Sequence, residues 1–152
     1  MNKKIFLAIP LLLIIAFGYK YVNYYSQSAP VIENFISTYN DQNFEKLALM
    51  FRNENPNVKT DNQIPIKDLE NFLKNMYGLF GKAKETSFNG FEIAVDTERG
   101  KEWVVYQSIR FQKGDGSIDF IFSIVDSKLF FRIVGFGGEP MRKFMENQQA
   151  NK

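Results

Sequence analysis

The chain of 152 residues has no cysteine and no histidine. Without cysteine there is no disulfide, no thiol nucleophile, no lipid anchored through a cysteine and no cysteine-ligated metal. Without histidine, Ser-His-Asp and Cys-His nucleophile systems, imidazole acid–base chemistry and most zinc or iron sites are excluded as well. An excess of one charge is missing too. The formal net charge is +2, but Lys3, Lys4 and Lys20 lie in or beside an N-terminal apolar stretch and no acid precedes Glu33, so the rest of the chain is near −1. That leaves no basic footprint for nucleic acid, and no nucleic-acid partner is expected. There is no internal repeat. These absences predict a chain without catalytic residues, cofactor or metal.

What is abundant is aromatic. Sixteen phenylalanines can build a large core for a chain of this length, and the richest stretch runs from Trp103 to Phe136. Trp103 to Phe111 is β-branched and aromatic and alternates in its second half, which predicts a strand. Asp115-Gly116 then gives a strong hairpin signal. Ile118 to Val125 predicts the next strand, Asp126-Ser127-Lys128 a second turn, and Leu129 to Phe136 the last strand. A loop at Asp115-Gly116 sets Phe111 opposite Phe120 and Ile109 opposite Phe122. A loop at Gly114-Asp115 keeps the same face. A second loop at Ser127-Lys128 sets Ile124 opposite Phe131 and Phe122 opposite Ile133. Ile109, Phe111, Ile118, Phe120, Phe122, Ile124, Phe131 and Ile133 then share the core face.

The opposite face is less polar than a solvated face should be. In that register Ile121 lies beside Val134 and Val125 beside Phe130, with Arg110, Ser123 and Arg132 among them. This predicts a partner surface of Ile121, Val125, Phe130, Val134, Arg110 and Arg132, taken by a second copy or another protein. Scattered surface hydrophobes, or cover by the C-terminal segment, would give the same pattern.

The N-terminus opens with Lys3 and Lys4, followed by an almost wholly apolar run from Ile5 to Phe17. A cleavable signal peptide has such a start but needs a small-residue cleavage site, which is poor here. A single-pass anchor over about Ile5 to Tyr25 meets the ~17–25 residues that a membrane helix needs. Tyr19, Tyr21, Tyr24 and Tyr25 suit the interface, and Lys20 can snorkel. Residues 1–28 are therefore expected to be a signal-anchor in the cytoplasmic membrane, N-terminus inside. The domain would be extracytoplasmic, periplasmic in a Gram-negative cell.

Residues 29–138 are expected to be one α+β domain, with a curved antiparallel sheet of about four strands packed on three helical segments. Ser28 and Pro30 open the first helix, with Val31, Ile32, Phe35, Ile36 and Tyr39 on one stripe. Phe44, Leu47, Ala48 and Phe51 mark a second short helix capped by Asp41. Arg52 to Gln63 reads as a loop. Pro65 starts a third helix with an apolar stripe from Ile66 to Phe80, stopped by Gly81. Lys82 to Val95 is extended, with Phe91, Ile93 and Val95 on one face and Phe88 on the other, unless a bulge at Asn89-Gly90 restores the phase. Asp96 to Glu102 reads as a charged turn. Gly135 to Pro140 ends regular structure, and residues 139–152 form a polar tail with a short helical turn near Met141 to Met145.

Several of these segments carry a resemblance. They are Phe35-x-x-x-Tyr39, Asn40-Asp41-x-x-Phe44, Phe80-Gly81-Lys82 and Trp103-Val104-Val105-Tyr106, then Phe111-x-Lys113-Gly114-Asp115-Gly116 and Phe131-Arg132-Ile133-Val134-Gly135-Phe136. Over about Val31 to Gly137 the chain resembles the nuclear-transport-factor-2-like superfamily, the cystatin-like cone, and within it small exported bacterial domains of unknown function. The resemblance implies a curved sheet wrapped around helices, often with a cavity. The superfamily includes isomerases and dehydratases, but a His-Asp pair has no match in a chain without histidine.

Three residues are candidates for the lining of such a cavity: Gln107 on the core face, and Trp103 and Tyr77 at its mouth. Each also suits plain packing with its polar atom satisfied. The function expected is a membrane-tethered extracytoplasmic binding or accessory domain without catalysis. The alternative is an immunity- or inhibitor-type protein that binds one specific protein. An enzyme with a carboxylate or tyrosine site is a third class with no residue pair to carry it.

Overall fold

The structure is a computed structural model that describes residues 3–51, 64–96 and 100–150, with side chains over 18–51, 64–95 and 100–146. The expected loop at 52–63 lies outside the described residues, as does the middle of the charged turn at 97–99. The elements are α1 (Lys3–Asn40), α2 (Phe44–Met50), α3 (Ile66–Phe80), β1 (Ala83–Asp96), β2 (Gly100–Phe111), β3 (Gly114–Val125), β4 (Lys128–Gly138) and α4 (Glu139–Ala150). The strands form one antiparallel meander in the order β1-β2-β3-β4. The fold is α+β, with helices against one face of a curved sheet.

The helix expected to begin at Ser28 has no start there. α1 runs unbroken from Lys3 to Asn40 and passes straight through Pro30. An interior proline costs ~3 kcal/mol, so something must offset it. Tyr24, Ser28, Ile32, Phe35 and Tyr39 form one continuous stripe of side chains, all buried, and Pro30 points outward. Burying one large apolar side chain contributes ~1.5–3 kcal/mol, and a break at Ser28 would forfeit Tyr24. Ser28 is not a cap. Its hydroxyl donates to Tyr25 O (3.2 Å) and accepts from Trp103 Nε1 (3.3 Å) inside the core.

Polar side chains of α1 tie it to the sheet at two further points. Gln27 Oε1 accepts from Leu129 N (3.0 Å), and Gln27 Nε2 donates to Ser127 O (3.3 Å). Asn40 exchanges two bonds with Ala83, donating to its carbonyl (2.9 Å) and accepting from its N–H (2.8 Å). α2 is capped by Asn43, whose Oδ1 accepts from Lys46 N (3.1 Å), and not by Asp41. α3 runs from Ile66 to Phe80, buries Leu73, Met76 and Phe80, and stops at Gly81 with φ +72°.

Of the two phases open for Phe88, β1 takes the one with a bulge. Phe88 pairs with Gln107 and Gly90 with Tyr106, so Asn89 is the extra residue and Phe88 joins Phe91 on one face. The β2–β3 turn is displaced from Asp115-Gly116 to Gln112-Lys113, where Phe111 pairs with Gly114. Tertiary bonds override the local signal. Gln112 N donates to Lys82 O (2.8 Å) and Lys113 N to Phe80 O (3.0 Å), fixing the turn against the end of α3. Gly116 serves close approach instead, because a Cβ there would lie 2.7 Å from Gly137 O. The displacement is even, so the core face survives. Val105 now faces Phe120 and Trp103 faces Phe122.

The β3–β4 turn is Asp126-Ser127, both with positive φ (48° and 63°), as a two-residue type I′ turn requires. A bulge follows. Phe122 pairs with Phe131 but Ile121 pairs with Ile133, which leaves Arg132 as the extra residue and reverses the phase of β4 beyond it. Val134, expected on the outer face, is thereby core, and Ile133, expected in the core, pairs with Ile121 on the outer face. Regular structure also continues past Gly135. β4 reaches Gly138, where φ is +110°, and α4 follows directly with Pro140 in its first turn. Ion pairs Glu139–Lys143 and Arg142–Glu146 run along α4, which replaces the expected short turn.

Candidate binding surfaces

The core face of the sheet is not covered evenly. Over β2, β3 and β4 it meets α1, α2 and α3. Trp103, Val105, Ile109, Phe111, Phe120, Phe122, Phe131 and Val134 are all buried there. Over β1 the same face lies beside α1 from Tyr21 to Asn40, and cover is incomplete. Phe88, Phe91, Ile93 and Val95 remain 39–73% exposed.

A groove of about 430 Å³ opens between α1 and this edge. Tyr25, Ile32, Glu33 and Ile36 of α1 form one wall, Thr86 and Phe88 of β1 the other, and Gln107 of β2 the floor. Gln107 is half-buried and stands opposite Phe88 and Ile118. The lining is mainly apolar with a few polar groups, as in small-molecule and peptide sites. Glu33 is its one ionisable side chain apart from the Tyr25 phenol, and no second acid or base joins it for proton transfer.

Trp103 and Tyr77 do not stand at the mouth of this groove. Trp103 is fully buried, stacked on Phe91 at 4.5 Å and flanked by Tyr21 and Tyr24 at 5.9 and 5.5 Å. Its indole N–H is satisfied by Ser28. Tyr77 lies in a separate cluster with Tyr39 (5.2 Å) and Phe44 (5.7 Å). Burial, then the neighbouring Tyr77, holds the Tyr39 phenol well above its ordinary pKa. Of the three cavity candidates only Gln107 reaches the groove. Tyr25 carries no cavity signal in the sequence because a helix that starts at Ser28 leaves it outside the domain, and no local pattern sets Glu33 opposite Thr86 and Phe88.

On the outer face, Val104, Ile121 and Ile133 stand opposite one another across β2, β3 and β4. Val104 is buried at 6% exposure, and Ile121, Val125 and Phe130 are half-buried. Val134 is on the other side. Arg110 reaches Glu85 (3.0 Å) and Asp115 (3.8 Å) as an exposed cross-strand network. Arg132 is largely buried and paired with Glu102, which is a strand residue of β2 and not part of a loop. Further along, a hydrogen bond to Glu92, with burial and the Glu92 and Asp119 charges adding to it, pushes the Tyr106 phenol up to about 12. Burial raises the Asp119 carboxyl. The outer face thus carries ion pairs among half-buried apolar residues, whereas at the α1–β1 edge Phe88 and Phe91 are 47% and 40% exposed.

No protein-family profile matches the chain, and no curated protein does. Among solved structures the chain is similar to Aln2 from a Streptomyces species, at 11% identity and TM-score 0.46, over 80% of this chain and 94% of that one. It is similar also to a protein from Catenulispora acidiphila, at 11% identity and TM-score 0.48, over 84% and 99%. Neither likeness bears on what this chain does.

Proposed function

We propose that the protein is a membrane-tethered, extracytoplasmic binding or accessory domain whose ligand or partner segment enters the α1–β1 groove. The observation that carries this reading is α1 itself. One helix contains the apolar run Ile5 to Phe17 and, without a break, the stripe that packs into the domain. Among the described residues no helix is long and apolar enough to cross a membrane. The side chains of the apolar run lie outside those residues, and the anchor rests on their sequence. The helices-then-four-strands order supports the resemblance to the cone-like superfamily. Binding is favoured over catalysis by the groove's chemistry: among the described residues it holds one carboxylate, one amide and three hydroxyls between apolar side chains.

Intact mass after fractionation tests the tether. The full-length mass should resist a salt wash and leave isolated membranes only with detergent. A mass lacking the first ~18–28 residues, found in the soluble extracytoplasmic fraction, would sink the tether reading. The immunity- or inhibitor-type alternative places the partner on the outer face, at the half-buried Ile121, Val125 and Phe130. Val125→Arg should then abolish a complex seen by light scattering.

A further inference from the structure

We infer that the α1–β1 groove takes a small organic cation with an apolar tail, its ammonium or guanidinium against Glu33 and its tail against the rings of Tyr25 and Phe88. This inference rests on the reading that the groove is the binding site, and it adds the class of ligand.

Three polar side chains that α1 turns toward the sheet are used by the chain itself. Gln27 bonds to Leu129 and Ser127, Ser28 to Trp103, and Asn40 to Ala83. The polar groups of the groove differ. Among the described residues the Glu33 carboxylate has no ion pair, and the Gln107 amide and the hydroxyls of Ser37 and Thr86 have no hydrogen bond. Exposed hydroxyls are served by water. Gln107 is half-buried between the buried Val105 and Ile109, where an amide ordinarily has a partner. The groove therefore holds bonding capacity that the fold does not use.

Charge selects the ligand. Glu33 is the one charged side chain in the lining, and no lysine or arginine lines the groove to hold an anion. A carboxylate only accepts, so its partner is a donor, and a cationic donor binds it most strongly. The same cation does not reach the rings. Glu33 lies ~12 Å further along α1 than Tyr25 at ~1.5 Å per residue, beyond the ~6 Å of a cation–π contact. The Tyr25–Phe88 ring pair, 5.9 Å between centroids and half-exposed, is left for an apolar tail, with the small Ala29 between the two ends and Ile32 and Ile36 beside it. The groove is also bounded along its length. The Tyr25–Phe88 contact joins α1 to β1 at one end, and the Asn40–Ala83 bonds join them beyond the other. A polypeptide running through would have to break one of these bridges, whereas a discrete molecule fits between them. The volume of about 430 Å³ is that of a small-molecule site.

The probes are 6-phenylhexylamine, 6-phenylhexanol and 6-phenylhexanoate, which share a tail and differ in charge. Each is titrated into the full chain in dodecylmaltoside micelles, and the side-chain amide of Gln107 is followed by nitrogen-15 NMR. The amine is expected to move the Gln107 resonance at the lowest concentration and the carboxylate at the highest. Glu33→Gln should weaken the amine about fivefold relative to the alcohol, the worth of one exposed ion pair. Uptake by the micelle is the same for both chains and cancels in that comparison. Glu33 is exposed, so its replacement leaves packing intact. Phe88→Ala should weaken all three compounds alike, because the tail is common to them. An amine preference that survives Glu33→Gln overturns the inference while the groove remains the site, and so does an alcohol or carboxylate that binds as tightly as the amine. No shift at Gln107 with any of the three overturns the inference and counts against the groove reading as well.

Discussion

One face of this sheet is dry on three strands and wet on the fourth. Phe120, Phe122 and Phe131 are at most 3% exposed, whereas Phe88 and Phe91, in phase with them on β1, are 47% and 40% exposed. Composition does not separate the two regions, since both are aromatic and β-branched. Cover separates them. α1, α2 and α3 converge over β2 to β4, whereas β1 lies beside α1 from Tyr21 to Asn40. A strand that has core residues but lacks a full complement of helices leaves an exposed apolar patch.

The first way to break this comparison is to truncate on the dry side. Phe120→Ala should cost ~3–5 kcal/mol in urea denaturation, as deletion of a fully buried ring does. A loss as small as that from a surface change would mean that the dry half is not the core. A smaller effect probes the same region. Tyr39 Oη is buried and makes no hydrogen bond among the described residues. Tyr39→Phe should therefore leave stability unchanged or raise it by up to ~1 kcal/mol, and a marked loss would reveal a partner for the hydroxyl. The smallest effect belongs to the wet side. Val95→Ser should fall within ~0.5 kcal/mol of the parent in the same denaturation. A larger loss would show that β1 is covered in solution.

Much of this architecture can be read in the residues. The four strands, the start of α3 after Pro65 and its stop at Gly81 all follow from local signals. What misleads is local as well. Ser28 and Pro30 look like a helix start, but the stripe from Tyr24 to Tyr39 continues through them, and packing against Trp103 decides. Asp115-Gly116 looks like a turn, but Lys82 and Phe80 fix the turn at Gln112-Lys113 instead. No residue of β4 advertises the bulge at Arg132, so the reversal that takes Val134 into the core has no local signal. Trp103 and Tyr77 mislead because an aromatic near the start of a strand or the end of a helix reads equally as lining or as core. Gln107 is legible because an amide between Val105 and Ile109 is out of character for a sealed face.

The central claim is that α1 is one rod joining tether and domain. Amide hydrogen exchange of the full chain in vesicles tests it most directly. The account predicts slow exchange without interruption from Val22 to Ile36, apart from Pro30, which has no amide hydrogen. Fast exchange confined to Ser26 through Val31 would contradict it, because a hinge there would uncouple the domain from the proposed tether.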